Sequence, residues 1–449
     1  MSAPLECDLL VVSGGLAGSS LAIAMAREGK RVVLLERELV FRDRIRGELV
    51  HPWGVAEVER LGLLELLLSR CARELPFIAE GTGSLDTRLL GPHFLFSLGF
   101  LHGAMQEALL DEASNLATVW RGAALGEIEP GAVPRATVLV GEKVREVRPR
   151  LIIGADGRDS VVARTAGFER ARDPEELITM GVLVKCDGLP DDQIHVHTDP
   201  RGGRMVILLS PDPGYQRLYL VYHTDVLPRR LSGAKDFAEA IRHMREIGVP
   251  EEHLAGACQH GPLGSFDGAH RWTAGPAREG VVLVGDAAAA SDPAWGCGLS
   301  RTLRDVRLLR DALCRDDDWK RAAGEYARSH DHAFAELRAA ERLLRRALHG
   351  NRQRGGRGAG PPRERDRRLG RRRHQPAGTR DAARSARIVP LERRAPAARD
   401  DLPTGLKLLQ RDTESLARNN RPGPATRDAT PPPPHSTSVR RRGGRARQR

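Results

Sequence analysis

Aromatic residues are scarce in this 449-residue sequence, at 4%, and its six cysteines, at positions 7, 71, 186, 258, 297 and 314, are scattered. With no CxxC pair and no metal-like spacing, a disulfide framework is excluded and reduced thiols in a cytosol are expected. Long apolar runs are missing too. Nothing approaches the roughly 18 apolar residues that cross a bilayer. Met1 to Asp8 has neither the basic nor the apolar region of a secretion signal. The expectation is a cytoplasmic protein without a membrane span.

An excess of positive charge is absent from most of the chain, despite a net charge of +12 and a pI near 10.0. Residues 351–449 hold 27 Arg or Lys against 9 Asp or Glu, whereas the first 350 hold 44 against 50. The enzyme-sized body is therefore mildly acidic. The tail contains no Phe, Trp, Tyr, Cys or Met, so it cannot bury enough apolar area to offset its ordering entropy and is expected to be disordered. Its attraction to phosphates would be non-specific and salt-sensitive, with no aromatic platform for bases, so no specific nucleic-acid partner is expected. The Arg, Pro, Gly and Ala bias is what a GC-rich gene yields in a shifted frame, and a frameshift near residue 350 is the expected origin of the tail.

What is present begins with buried-strand and helix signals. DLLVV (8–12) ends at glycines, GSSLAIAMARE (18–28) has helical spacing stopped by Gly29, and RVVLLER (31–37) is a second buried strand. Strand, glycine turn, helix and strand within about thirty residues make a βαβ unit. One helix is expected over 55–70, a strand over 94–100, a helix over 103–113 and a buried strand over 151–157. From 176 to 225, runs such as MVILLS (205–210) and RLYLVYH (217–223) between turn signals predict an antiparallel sheet. Residues 278–313 return to a strand, a glycine-bearing loop and a long helix.

Four segments carry candidate chemistry. In Ser13-Gly14-Gly15-Leu16-Ala17-Gly18, Gly15 and Gly18 fill the second and third positions of GxGxxG, with Ser13 at the first. Gly15 lets backbone approach a pyrophosphate, Gly18 lets helix pack on strand, and free helix amides hold the phosphates. Glu36, followed by Arg37, ends the second strand where a carboxylate accepts ribose hydroxyls. Arg44-Ile45-Arg46-Gly47-Glu48 is a basic loop whose plain reading is a solvated one. Gly154-Ala155-Asp156-Gly157-Arg158-Asp159-Ser160 closes a strand, and its plain reading is a helix cap through Asp156 or Ser160. Gly285-Asp286-Ala287-Ala288, Asp292-Pro293 and Gly296-Cys297-Gly298-Leu299 combine an acid with a glycine-rich helix start able to offer amides to an anionic ring.

Together these segments, at 13–18, 154–160 and 285–299, resemble the FAD-dependent monooxygenases of the para-hydroxybenzoate hydroxylase type, over roughly residues 5–345. The resemblance implies an α/β fold with a Rossmann-type, GR2-like FAD-binding domain (1–72, 98–175 and 271–350). A mostly antiparallel substrate domain (73–97 and 176–270) is inserted, and 351–449 form the disordered tail. It implies pyrophosphate contacts from Ser13, Gly14, Gly15, Ala17 and Gly18, and a ribose contact from Glu36 beside Arg37. Arg44 and Arg46 would lie beside the flavin, Gln106 near the ribityl chain, and Asp286 on the ribityl hydroxyls. Asp156 would support both FAD and a transient NAD(P)H site. Pro293, Gly296, Gly298 and Leu299 would frame the isoalloxazine. The implied reaction is reduction of FAD by NADH or NADPH, addition of O2 at flavin C4a, and transfer of oxygen from the hydroperoxide to an aromatic or polycyclic substrate. No dedicated acid or base is required, and His102, Tyr222 and His223 read as structural. Alternatives on the same scaffold are a reductase, an inactive flavin-binding protein and a halogenase. Against the last, Trp53, Trp120, Trp272, Trp295 and Trp319 form no WxWxIP-like motif.

Overall fold

The computed structural model describes residues 3–43, 45, 47–80, 83–90, 95–186 and 188–355. Leu5–Val12 (β1), Leu16–Arg27 (α1) and Val32–Glu36 (β2) form the βαβ unit. Leu49–Val50 (β3), Pro52–Arg60 (α2) and Leu64–Arg70 (α3) follow, then Arg73–Leu75 (β4), Phe77–Glu80 (β5), Gly83–Asp86 (β6) and Ser97–Gly99 (β7). His102–Leu116 (α4) leads to Thr118–Arg121 (β8), Ala123–Glu129 (β9), Arg135–Val140 (β10) and Lys143–Gly154 (β11). After Val161–Thr165 (α5) and Ala171–Arg172 (β12) come Leu177–Lys185 (β13), Gln193–Thr198 (β14), Arg204–Asp212 (β15) and Tyr215–His223 (β16). Phe237–Ile247 (α6), Cys258–Asp267 (β17), Arg271–Trp272 (β18), Ala277–Arg278 (β19), Val281–Leu283 (β20) and Ala289–Ala290 (β21) precede Gly298–Arg315 (α7) and Trp319–Gly355 (α8).

The nucleotide-type sheet runs β19-β20-β11-β1-β2-β8, with β10 and β9 attached to β11. From β20 to β8 every pairing is parallel. The central strands are buried on both faces, which explains their unbroken Val, Leu and Ile runs. Register sets Val12 beside both Leu35 and Gly154, and Gly154 beside Leu283. Four loops thus leave the sheet side by side at its carboxyl edge, the place where open α/β sheets bind ligands. Helix α1 is buried almost all round because small residues let it sit tightly against its neighbours.

The second sheet runs β17-β13-β16-β15-β14-β5-β6 and is antiparallel except for the β14–β5 pair. One face is covered by α6, whose Ala240, Ile241, Met244 and Ile247 recur at helical spacing and pack on Met180, Val182, Leu218 and Leu220. Its other face turns toward β3, β4 and the Pro293–Trp295 segment.

The single helix expected over 55–70 is two. Gly62 adopts φ +66°, its amide bonds to the Glu59 carbonyl and the Leu63 amide to that of Val58. This is a Schellman end, and a periodic apolar pattern running across the glycine conceals it. The expected strand over 94–100 is confined to Ser97–Gly99 among the described residues, with Phe94 outside them. Helix α8 extends five residues past the boundary placed at 350. The remainder of the tail lies outside the described residues.

Helix α2 crosses α7 with almost no gap. A Cβ added to Gly54 would meet Ser300 Oγ at 2.3 Å and Ser300 Cα at 2.8 Å. Alanine there gains about 1 kcal/mol of helix propensity. Overpacking of about 1–3 kcal/mol outweighs it, because backbone must move. Gly54→Ala is therefore expected to lower the urea midpoint, and a midpoint equal to or above wild type would show that α7 yields freely.

Candidate functional site

The glycine turn at the end of β1 is shaped by one contact. A Cβ on Gly18 would fall 1.9 Å from the Ser13 carbonyl oxygen, so only glycine lets α1 begin there. A Cβ on Gly15 would meet nothing nearer than Gln106 Nε2 at 3.7 Å. Gly15 caps α1 without a side-chain hydrogen bond, and no acid stands in the first turn. The first amides of α1 therefore face an open cradle suited to an anion. Glu36 is buried; its carboxylate accepts from the Gly14 amide at 2.7 Å and the Glu38 amide at 2.8 Å. Arg37 is exposed, with Nε 3.4 Å from Glu38. Gln106 lies in the second turn of α4, not at its opening, yet is brought beside Gly15. Arg44 and Arg46 lie outside the described residues.

The mid-chain loop is a helix cap in geometry. Asp156 accepts from the Val161 amide at 2.6 Å, the Val162 amide at 3.2 Å and the Ser160 hydroxyl, while Ser160 Oγ accepts from the Ala163 amide at 2.9 Å. Both capping candidates operate together. The same loop sends Arg158 to within 3.5 Å of Asp286, whose other oxygen accepts from Arg301 Nη2 at 3.1 Å. The loop that Asp156 caps thus reaches Asp286 through Arg158. Gly285, at φ +61°, packs its α-carbon against Ala17 and Thr302 and so joins the starts of α1 and α7.

Pro293 begins a 3-10 turn capped by Asp292, which accepts from the Ala294 amide at 3.0 Å. Gly296 follows at φ +66° with His51 against it. Burial holds the His51 imidazole below its usual pKa, so it is neutral and its Nε2–H donates to the Trp295 carbonyl at 2.9 Å. Helix α7 then starts at Gly298, again with no side-chain cap and no acid in its first turn. Ser291 Oγ is buried beside Gly298 without a partner among the described residues. Leu299 packs on Gly47. Burial and the nearby Glu341 push the Cys297 thiol well above its usual pKa, which leaves it protonated and no nucleophile.

Beneath this turn lies a charged network that sequence reasoning missed. Arg345 Nη2 donates to Asp292 at 3.2 Å; Glu341 accepts from the Asp292 amide at 3.2 Å and lies 2.6 Å from His270 Nε2. His270 continues to Asp173 at 3.1 Å, where Arg338 and Arg342 of α8 also converge. Burial and the Glu341 charge push the Asp292 carboxyl up to about 7, although the Ala294 amide and Arg345 oppose them.

A second missed group closes the side toward the antiparallel sheet. Arg217, fully buried on β16, donates to both oxygens of Glu48 at 2.6 and 2.7 Å and to Asp43 at 3.0 Å, and the Tyr219 hydroxyl donates to Glu48 at 3.3 Å. Burial raises the Glu48 pKa against the pull of Arg217. Glu48 was visible in the basic loop, but its partner stands 169 residues away, and no local pattern announces it. Of the polar candidates, Tyr222 faces away from this group, donating to the Arg229 carbonyl at 3.0 Å within the α6 core. His102 Nδ1 lies 2.7 Å from the Gly47 carbonyl oxygen. His223 bonds to Asp225 at 2.6 Å.

These residues fit FAD. The α1 cradle offers amides to a pyrophosphate, and the α7 start with the unpartnered Ser291 hydroxyl offers donors to the anionic edge of an isoalloxazine. Two uncapped helix starts on one sheet edge match the two acceptor-rich parts of that cofactor.

Ser13 occupies φ +87°, where a side chain is strained by about 1–3 kcal/mol. Glycine there loses about 0.5–1 kcal/mol of chain entropy, so Ser13→Gly is expected to raise the thermal midpoint by a few degrees; a lower midpoint would refute the strain. Asp292 gives a pH test. Its folded pKa near 7 stands above the usual value of about 3.9. The folded chain therefore binds a proton that the unfolded chain lacks, and stability falls as pH rises from about 4 to about 7. Asp292→Asn is expected to flatten that part of the profile by an amount on the order of 4 kcal/mol; denaturant midpoints across the range check it, and equal slopes would assign the effect elsewhere.

Comparison with known proteins agrees with this geometry. A family model described as FAD binding domain matches residues 6–315. The chain is 30% identical over 329 residues to 6-methylpretetramide 4-monooxygenase of Streptomyces rimosus, covering 68% of this chain and 75% of that enzyme. It is 25% identical over 335 residues to squalene epoxidase 3 of Arabidopsis thaliana, covering 69% of this chain but 60% of the relative. In fold it resembles PqsL, a probable FAD-dependent monooxygenase from Pseudomonas aeruginosa, with a TM-score of 0.65 at 18% identity, over 78% of this chain and 99% of that one. The sheet edge, its two uncapped helices and the matched 6–315 region agree: this chain belongs to the FAD binding domain family.

Proposed function

We propose that the protein is an FAD-dependent monooxygenase that hydroxylates an aromatic or polycyclic small molecule, with NADH or NADPH and O2 as co-substrates. The observation that carries the reading is the meeting of the Pro293–Trp295 turn with the inner face of the antiparallel sheet. Ala294 and Trp295 pack with Val196, Ile207 and Val221 in one cluster. Bound FAD would supply the redox chemistry, accepting electrons from the nicotinamide and activating O2.

The chain's own residues bind, orient and exclude water. Backbone amides from Gly14 to Gly18 would hold the pyrophosphate, with Glu36 toward the adenosine ribose and Gln106 and Asp286 toward the ribityl chain. Gly296, Gly298 and Leu299 would frame the ring edge, and His51 fixes that turn through the Trp295 carbonyl. Asp156 acts by holding the loop that presents Arg158 to Asp286. On the substrate side, partly buried Leu49, Ile78, Val196, Ile207 and Tyr219 form an apolar wall suited to a flat, largely apolar molecule. Arg217 and Glu48 tie the loop before β3 to that wall. An apolar, closed surface keeps water from the reacting centre. The similarity to an enzyme named for oxygenation of 6-methylpretetramide supports a polycyclic substrate. No helix of the described residues is long and apolar enough to cross a membrane. The six unpaired cysteines support a cytoplasmic setting.

The test is a panel of phenolic and polycyclic compounds scored by stimulated NAD(P)H oxidation and by mass spectrometry under 18O2. One labelled oxygen in the product is expected. NAD(P)H consumption yielding a reduced, unlabelled product would replace the reading with a reductase.

A further inference from the structure

The outer face of the antiparallel sheet carries polar side chains that the flavin-side chemistry does not use. His195 and His197 alternate along β14, so their rings leave the same face. Their register partners Leu208 and Val206 belong to the core beneath α6, whereas the intervening Val196 packs on the flavin side. His253, in the 3-10 turn Glu251–His253 after α6, completes the group. Its ring centroid lies 4.6 Å from that of His195 and 6.3 Å from that of His197.

One ring nitrogen from each histidine lies within 4.8 Å of the others. Nε2 of His195, Nε2 of His197 and Nδ1 of His253 are shielded from solvent and have no hydrogen-bond partner among the described residues. A buried polar atom left unmatched costs about 1–3 kcal/mol. Three of them, one on each ring of a single cluster, call for a shared partner. We propose that His195, His197 and His253 form a binding site for one zinc-type divalent cation, held by three imidazoles with a fourth position open to water.

The donor chemistry selects the ion. Three imidazoles without carboxylate or thiolate suit Zn2+, Ni2+ or Cu2+ and not Mg2+ or Ca2+. Zinc–nitrogen bonds of 2.0–2.1 Å place tetrahedral ligands about 3.4 Å apart, a spacing inside the 4.8 Å within which the three nitrogens lie. The cation would clamp the 251–253 turn to β14. That turn already abuts the neighbouring loop, since a Cβ on Gly188 would fall 2.1 Å from the Glu252 carbonyl oxygen. Its role is therefore structural, on the far side of the sheet from the substrate wall.

The experiment uses the untagged, FAD-loaded full chain, stripped with a chelator and titrated with Zn2+ and with Co2+ as a spectroscopic probe. One equivalent is expected to bind, Co2+ giving the visible bands of a tetrahedral site, and Zn2+ raising the thermal midpoint. His197→Gln and His253→Gln should each weaken that equivalent at least tenfold, while flavin content and visible flavin spectrum stay at wild-type values. Failure of the wild type to bind an equivalent, or an equivalent of unchanged affinity in both variants, would overturn the site.

Discussion

The approach of α1 to the end of β1 governs the geometry of the whole cofactor edge. With the Gly18 α-carbon pressed against the Ser13 carbonyl, the helix axis can start only at Gly15, and its first amides can point only over the sheet's carboxyl edge. The neighbouring loops inherit that position. Gly285 packs on Ala17 at the start of the same helix, so the β20 loop and the start of α7 are located relative to α1 by contact. The two uncapped helix starts therefore converge because of close packing between small residues. Their dipoles gain value from it, since a helix terminus favours an anion only within its first turn.

Legibility in the sequence followed the range of the interactions. The βαβ unit could be read because its strand, turn, helix and second strand lie within 36 residues and each leaves a local signature. Asp286 and the 154–160 turn were found for the same reason: buried strands ending in glycine are visible in a short window. The split at Gly62 was locally encoded too, but an apolar period continuing from Val55 to Leu67 masked a glycine in the left-handed region. Arg217 with Glu48, and Glu341 and Arg345 with Asp292, left no such trace. An arginine in a strand reads as an outward position until its acid, far away in sequence, is brought against it. Ser13 is the intermediate case. Its mismatch to the fingerprint was plain in the sequence, and its positive φ shows that the backbone kept the glycine conformation with a side chain in place.

The buried ionic network under the Pro293 turn gives the last long helix a function in the site. Isolated charges in such surroundings are strongly unfavourable, and they persist only when each is matched. Here α8 supplies most of the matching groups: Glu341 and Arg345 reach the Asp292 segment, while Arg338 and Arg342 hold Asp173, which in turn meets His270. Removing α8 would therefore leave Asp292 without Arg345 and His270 without Glu341, directly behind the turn proposed to frame the isoalloxazine. Leu348, near the end of the helix, packs with Ala294 and Met205, so the same helix also joins the turn to the antiparallel sheet. The functional body thus extends through α8, and the shift to tail-like composition begins only after the helix has made these contacts. Whatever the origin of the sequence beyond it, the groups that position the Pro293 turn lie within the matched enzyme and its final helix.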